Sequence, residues 1–198
     1  EADTSGVTPL MKAVGEGPVE SVELLLANGA KIEASSRIGR TPLSYAVVRG
    51  SPELVDLLLA KGAAVDSRDR HGVSPLQLAS AKGRTALMER LMAAGAALDG
   101  ADKMGITPLM SAAWNGRLEA LELLLSKKPA LDARERRNGQ TALMMAALRG
   151  HAALIPPLVE AGAGIDLQDN GGRTALLYAA GAGHRDAVAA LMAAGADP

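Results

Sequence analysis

The sequence predicts an all-α fold, an α-solenoid of short helix pairs joined by turns or short β-hairpins. Three observations carry this. First, one ten-residue phrase returns six times: TPLMKAVGEG at Thr8, TPLSYAVVRG at Thr41, SPLQLASAKG at Ser74, TPLMSAAWNG at Thr107, TALMMAALRG at Thr141 and TALLYAAGAG at Thr174. The period is about 33 residues, typical of arrays whose units bury their apolar faces on one another. Second, each phrase is followed by an apolar stretch with helical spacing, as in Leu121, Leu124 and Leu125. Third, 48% of residues are apolar, yet there is no Phe, one Trp and two Tyr. Alanine and leucine suit close packing of short helices better than a large aromatic core.

Each unit opens with Thr or Ser, which can N-cap a helix by accepting from its free backbone N–H groups. Pro follows in four copies, where its missing N–H costs nothing. The first helix ends near Gly17, Gly50, Gly83, Gly116, Gly150 or Gly183. The second helix meets Gly29, Gly62, Gly95, Gly162 or Gly195 in five units, as a left-handed cap requires. Asp and Gly in the next segment, DSRDRHGV or DGADKMGI, predict a turn or hairpin. Residues 1–198 form a single domain on this reading, with repeats at approximately 3–35, 36–68, 69–101, 102–134, 135–168 and 169–198.

Together, Asp102, Gly105, Thr107, Pro108, Leu109, Ala112, Ala113 and Gly116, with Leu124, Leu125 and Asp132, follow the ankyrin pattern. The chain therefore resembles an ankyrin-repeat protein over essentially its whole length, in six copies; its alanine-rich character looks bacterial. The resemblance implies helix pairs with projecting fingers, and a concave face lined by fingers and first helices that binds another protein.

Departures from the pattern are informative. Its histidine is replaced by Met11, Ser44, Gln77, Met110, Met144 and Leu177. Lys128-Pro129 replaces Gly-Ala in the fourth unit, and a residue before Pro avoids helical geometry. One extra finger residue lies within Ala133–Gln140, and Pro156-Pro157 sits inside a second helix. Proline there predicts a helix that bends or starts late. The final helix carries little charge, whereas an end unit wants a polar outer face.

Little in the chain points to chemistry. Absence of Cys excludes disulfides and thiolate catalysis. His151 and His184 follow the unit glycine and read as structural, and no histidine pair has metal-ligand spacing. Gly15 with Gly17, Gly162 with Gly164 and Gly181 with Gly183 recur as turn residues, not as a phosphate loop opening a helix. Asp66, Asp99, Asp132 and Asp166 recur likewise and are expected as turn residues. No enzyme and no cofactor or metal is expected. No apolar run approaches the ~20 residues of a membrane helix. The chain begins at Glu1 rather than Met, so trimming and an earlier export signal are both compatible with it, and cytoplasm and bacterial periplasm remain open.

A net charge of −1 hides an uneven distribution. Finger and first-helix positions of units 2, 3 and 5 carry Arg37, Arg40, Arg49, Arg68, Arg70, Lys82, Arg134, Arg136, Arg137 and Arg149, opposed there by Asp69 and Glu135. Such a basic face would select an acidic or mixed protein surface. Met104, Ile106, Met110, Trp114, Met144 and Leu148 add apolar character at the same kinds of position. Tryptophan and arginine dominate interface hot spots. The candidate partner-binding set is Arg37, Arg40, Arg70, His71, Met104, Ile106, Met110, Trp114, Arg136, Arg137, Leu148 and Arg149. A monomer that binds another protein is expected. Two alternatives stand beside this: an inhibitor or self-protection protein covering an enzyme's active site, and nucleic-acid binding through the arginines. Lack of interleaved aromatics counts against the latter.

Overall fold

The computed structural model describes residues 2–198. Twelve α-helices are present among them, all short. They come as pairs: α1 (Pro9–Glu16) with α2 (Val19–Ala27), α3 (Pro42–Arg49) with α4 (Pro52–Ala60), α5 (Pro75–Lys82) with α6 (Thr85–Ala93), and α7 (Pro108–Trp114) with α8 (Leu118–Leu125). The fifth pair is α9 (Ala142–Leu148) with α10 (Ile155–Glu160), and the sixth is α11 (Ala175–Gly181) with α12 (Arg185–Ala193). Two compact units result, one reaching to Ala79 and including Arg84–Ala97, the other comprising Ser80–Gly83 and Leu98–Pro198. Within the first unit α1 packs on α3, and within the second α7 packs on α9 and α9 on α11.

The capping residues act as their chemistry demands. Hydroxyls of Thr8, Thr107, Thr141 and Thr174 each accept from the N–H three residues on, at 3.2–3.4 Å. Ser74 does the same toward Gln77. Thr41 departs from this scheme: its hydroxyl pairs with the Ser67 hydroxyl at 3.0 Å, tying the start of α3 to the segment after α4. Buried leucines line the interior of both units, among them Leu43, Leu54 and Leu58 in the first and Leu109, Leu121 and Leu124 in the second. Each such side chain contributes about 1.5–3 kcal/mol on burial.

The proline pair delays its helix, as the sequence implies. Ala152–Leu154 form a 3-10 turn, and α10 begins at Ile155 with the prolines in its first turn, where no N–H is lost. Lys128 takes the left-handed conformation, φ 57°, that glycine supplies at the end of the other second helices. It is the one non-glycine residue with positive φ among those described, and a side chain there costs about 1–2 kcal/mol.

Two expectations need correction. The fingers are turns rather than β-hairpins, with no strand among the described residues. In five of them one N–H reaches a carbonyl four residues on, as from Asp69 to Val73 at 3.1 Å, and in the fifth finger Glu135 reaches Gln140, five residues on; in each the glycine N–H returns, as from Gly72 to Asp69 at 2.8 Å. Those two bonds close the turn, leaving no further ladder pair to form. Neighbouring fingers are joined by single backbone bonds: Arg70 N–H to the Ile38 carbonyl in the first unit, Arg136 to Met104 and Asn170 to Asn138 in the second.

The recurring carboxylates are also more than turn residues. Asp66 accepts from the Ala97 N–H, Asp99 from Ala130, Asp132 from Gly164 and Asp166 from Asp197, at 2.9–3.2 Å. Glu33 makes the equivalent bond to Ala64. Each carboxylate thus ties one repeat to the next.

A second periodic link lies at the far end of the first helices. Arg84 donates to the Val47 carbonyl, Arg117 to Ala81, and the Nε2 of His151 and His184 to the carbonyls of Trp114 and Leu148. A carbonyl can only accept, so the ring nitrogen carries the proton. These donors satisfy carbonyls that a helix C-terminus leaves open. Arg49 does this for Val14 and Gly17, which occupies its guanidinium.

Candidate partner-binding surface

Asp at the head of a finger organises it by accepting twice with one oxygen. Asp69 receives the His71 and Val73 N–H groups, Asp102 those of Met104 and Ile106, and Asp169 those of Gly171 and Arg173. The fifth finger is one residue longer, and Glu135 replaces Asp. Its carboxylate accepts from Arg137, Asn138 and Gln140, and the Gly139 N–H reaches its carbonyl. One more methylene spans one more residue. Fingers 4 and 5 lie close: a Cβ on Gly105, φ 80°, would stand 3.1 Å from the Arg136 nitrogen.

Beside these fingers the second unit has an open cavity of about 280 Å³. Its lining combines apolar Ile106, Trp114 and Met145 with polar Ser111, Asn115, Glu135, Asn138 and Gln140. Ser111, Trp114 and Asn115 share one face of α7 by their spacing of three and four residues. The Asn115 amide donates to the Ser111 carbonyl at 2.8 Å, which fixes that side chain. Trp114 is 37% exposed, with the Arg149 guanidinium over its ring at 4.8 Å from the centroid. Its own carbonyl is held by His151.

Next to Gln140 of the lining, the Tyr178 hydroxyl donates to Asp169. Arg173 closes the cluster with two nitrogens on the same carboxylate oxygen and its guanidinium over the Tyr178 ring. Burial pushes the Asp169 carboxyl up, but the Tyr178 hydroxyl and the Arg173 and Gly171 donors outweigh it and hold it well below the usual carboxylate range. Burial, with the bond to Asp169, pushes the Tyr178 hydroxyl up.

Three copies of the ankyrin-repeats family match this chain, over residues 1–69, 64–135 and 128–198. The chain belongs to the ankyrin-repeat family. It is similar to the ankyrin repeat domain of Bcl-3, described as a unique member of the IkappaB protein family, at 29% identity and a TM-score of 0.85. That likeness covers 98% of this chain and 88% of the other. No curated protein matches it. Ankyrin repeats mediate protein–protein interaction, and the fold is typically a non-catalytic binding scaffold. No three His, Asp or Glu side chains among the described residues are grouped to hold a metal ion, and no helix is long and apolar enough to cross a membrane.

Within this ankyrin array the predicted set divides by unit. In the first unit Arg37, Arg70 and His71 are exposed on their fingers, while Arg40 is half-buried with its Nε 3.9 Å from Asp69. In the second, Met104 is 50% exposed, Ile106 and Leu148 are half-buried, and Arg136, Arg137 and Arg149 are exposed. Met110 is a correction: at 1% exposure it is core, as are Met11 and Met144 at the same position of other repeats. They fill the space of the family's histidine and cannot reach a partner. Leu177, at that position in the last repeat, is exposed.

Several cavity residues escaped the sequence reading: Ser111, Asn115, Asn138, Gln140 and Met145. Helical spacing from Trp114 would have pointed to Ser111. Asn138 and Gln140 gave no signal, because they follow from the longer fifth finger and its Glu135 anchor.

Proposed function

We propose that this ankyrin-repeat protein is a non-catalytic binding module that holds an acidic or mixed protein surface against the fingers and first helices of repeats 4 and 5. The observation that carries this reading is the exposed Trp114 with Arg149 stacked on it, beside a cavity lined by Glu135 and Asn138 of the finger that also carries the exposed Arg136 and Arg137. Tryptophan and arginine at the rim of a pocket are what an interface hot spot requires, and truncating one such residue typically costs about 2 kcal/mol or more of binding. The Met104 side chain extends the apolar area at the finger tip. In the first unit Arg37, Arg70 and His71, with the exposed Ile38 beside Arg37, offer a second finger surface.

Affinity capture with wild type, Trp114→Ala and the pair Arg136→Glu with Arg137→Glu tests the reading. Wild type retains a partner that both variants lose while their circular dichroism is unchanged. Retention of every partner by both folded variants overturns it. Capture of nucleic acid instead, falling steeply with salt as phosphate contacts do, would replace the protein partner.

A further inference from the structure

We infer that the cavity beside Trp114 is an anchor pocket for one aliphatic side chain of the partner, presented within an acidic segment that carries carboxylates on both sides of that side chain. The inference rests on the binding-module reading and specifies its partner. Size is the first argument. Pockets for drug-sized ligands and cofactors run from about 300 to 1,000 Å³. At about 280 Å³ and open to solvent, this one lies at the bottom of that range and has room for one inserted side chain.

The walls give the second argument. Ile106, Trp114 and Met145 supply the apolar part of the lining. Met145 is only 3% exposed, so it is a floor rather than a rim, and an unbranched thioether adapts to the shape of what enters. Two of the polar side chains are already engaged: the Asn115 amide with the Ser111 carbonyl, and the Glu135 carboxylate with three backbone N–H groups. An entering hydrocarbon therefore does not strip them of their partners, which would be costly.

Charge is the third. Glu135 is the one carboxylate in the lining, and it accepts from three backbone N–H groups of its own finger. Arg136 and Arg137 directly follow Glu135 of the lining along the fifth finger, and Arg149 stands at the C-terminal end of α9. None of the three forms an ion pair among the described residues. Arg149 is positioned by the Trp114 ring rather than neutralised by it. A segment laid from finger to helix end would meet a cation, then the apolar pocket, then a second cation.

The test uses the single tryptophan as its probe. Emission of Trp114 is titrated with three capped peptides: Ac-Asp-Glu-Leu-Glu-Asp-NH2, the same peptide with Ala for Leu, and Ac-Lys-Lys-Leu-Lys-Lys-NH2. We expect saturable binding of the Leu peptide, at least about tenfold weaker binding of the Ala peptide as the buried hydrocarbon is removed, and no binding of the lysine peptide. Arg149→Glu, an exposed change outside the core, abolishes binding of the Leu peptide, and Ile106→Ala weakens it with the fold intact. Equal affinity for the Leu and Ala peptides, or no saturation by the Leu peptide at ~1 mM, overturns the anchor. So does tighter binding of a capped single-stranded oligonucleotide. If the peptides fail while captured partners still depend on Trp114, the binding-module reading stands and the anchor pocket alone falls.

Discussion

The guanidinium of Arg149 lies over the ring of Trp114, 4.8 Å from its centroid, joining the end of α9 to the end of α7. An exposed contact of this kind is worth about 0.5–1 kcal/mol. Arg149→Ala should therefore lower stability by no more than about 1 kcal/mol in urea unfolding, while shifting Trp114 emission to the red as one ring face becomes hydrated. An unshifted spectrum would show that the stacking does not persist in solution.

Lys128 occupies a conformation that suits glycine. Lys128→Gly should raise stability by about 1 kcal/mol, because a backbone at φ 57° penalises a Cβ. Thermal and urea midpoints should both rise. A drop would mean that the glycine's greater freedom in the unfolded chain outweighs the relief.

The carboxylate of Asp132 accepts from the Gly164 N–H at 2.9 Å and links repeat 4 to repeat 5. Asp132→Ala should cost about 1–2 kcal/mol. Hydrogen exchange at Gly164 should accelerate along with it. Removing Asp99 should expose Ala130 in the same way, whereas a simple turn residue would affect only its own neighbours.

Asp169 gives the last repeat a pH dependence whose sign is fixed. Its folded carboxyl is held below the ordinary value of 3.8, so its contribution is complete above that value and declines as pH falls through the folded pKa. Asp169→Asn should lower the melting temperature at pH 7. The gap from wild type should begin to narrow below about pH 4, as the unfolded-state carboxylate takes up protons. A gap constant down to pH 2 would remove the carboxylate's charge as the cause.

Glu135 should not tolerate shortening. Glu135→Asp leaves its carboxylate one methylene short of the Arg137, Asn138 and Gln140 N–H groups. Each buried donor left open costs about 1–3 kcal/mol. The variant should lose stability and the Trp114 response to ligand together. Asp102→Glu, in a finger of ordinary length, should change stability less.

Much of this was legible without coordinates. The period of about 33 residues, the Thr-Pro openings and the glycine ends suffice for the helix pairs, because caps and helical spacing are local rules. Pro156-Pro157 alone foretell that the helix bends or starts late, and the 3-10 turn at Ala152–Leu154 decides for the late start. Trp114, Arg136, Arg137 and Arg149 stood out as residues the repeat pattern leaves free. The role of the recurring aspartates did not, since a bond to an N–H some 31 residues later has no local signature.

What the sequence determines by itself is the repeat: which residues cap, which turn and which are apolar, all set by neighbours a few positions apart. The tertiary structure decides which free positions meet. Met110 and Trp114 are four residues apart on α7, yet one is core and the other is surface, because only the packing of α9 against α7 says which side is covered. The cavity beside Trp114 exists because a longer finger held by Glu135 lies against that helix, and no single stretch of sequence contains both.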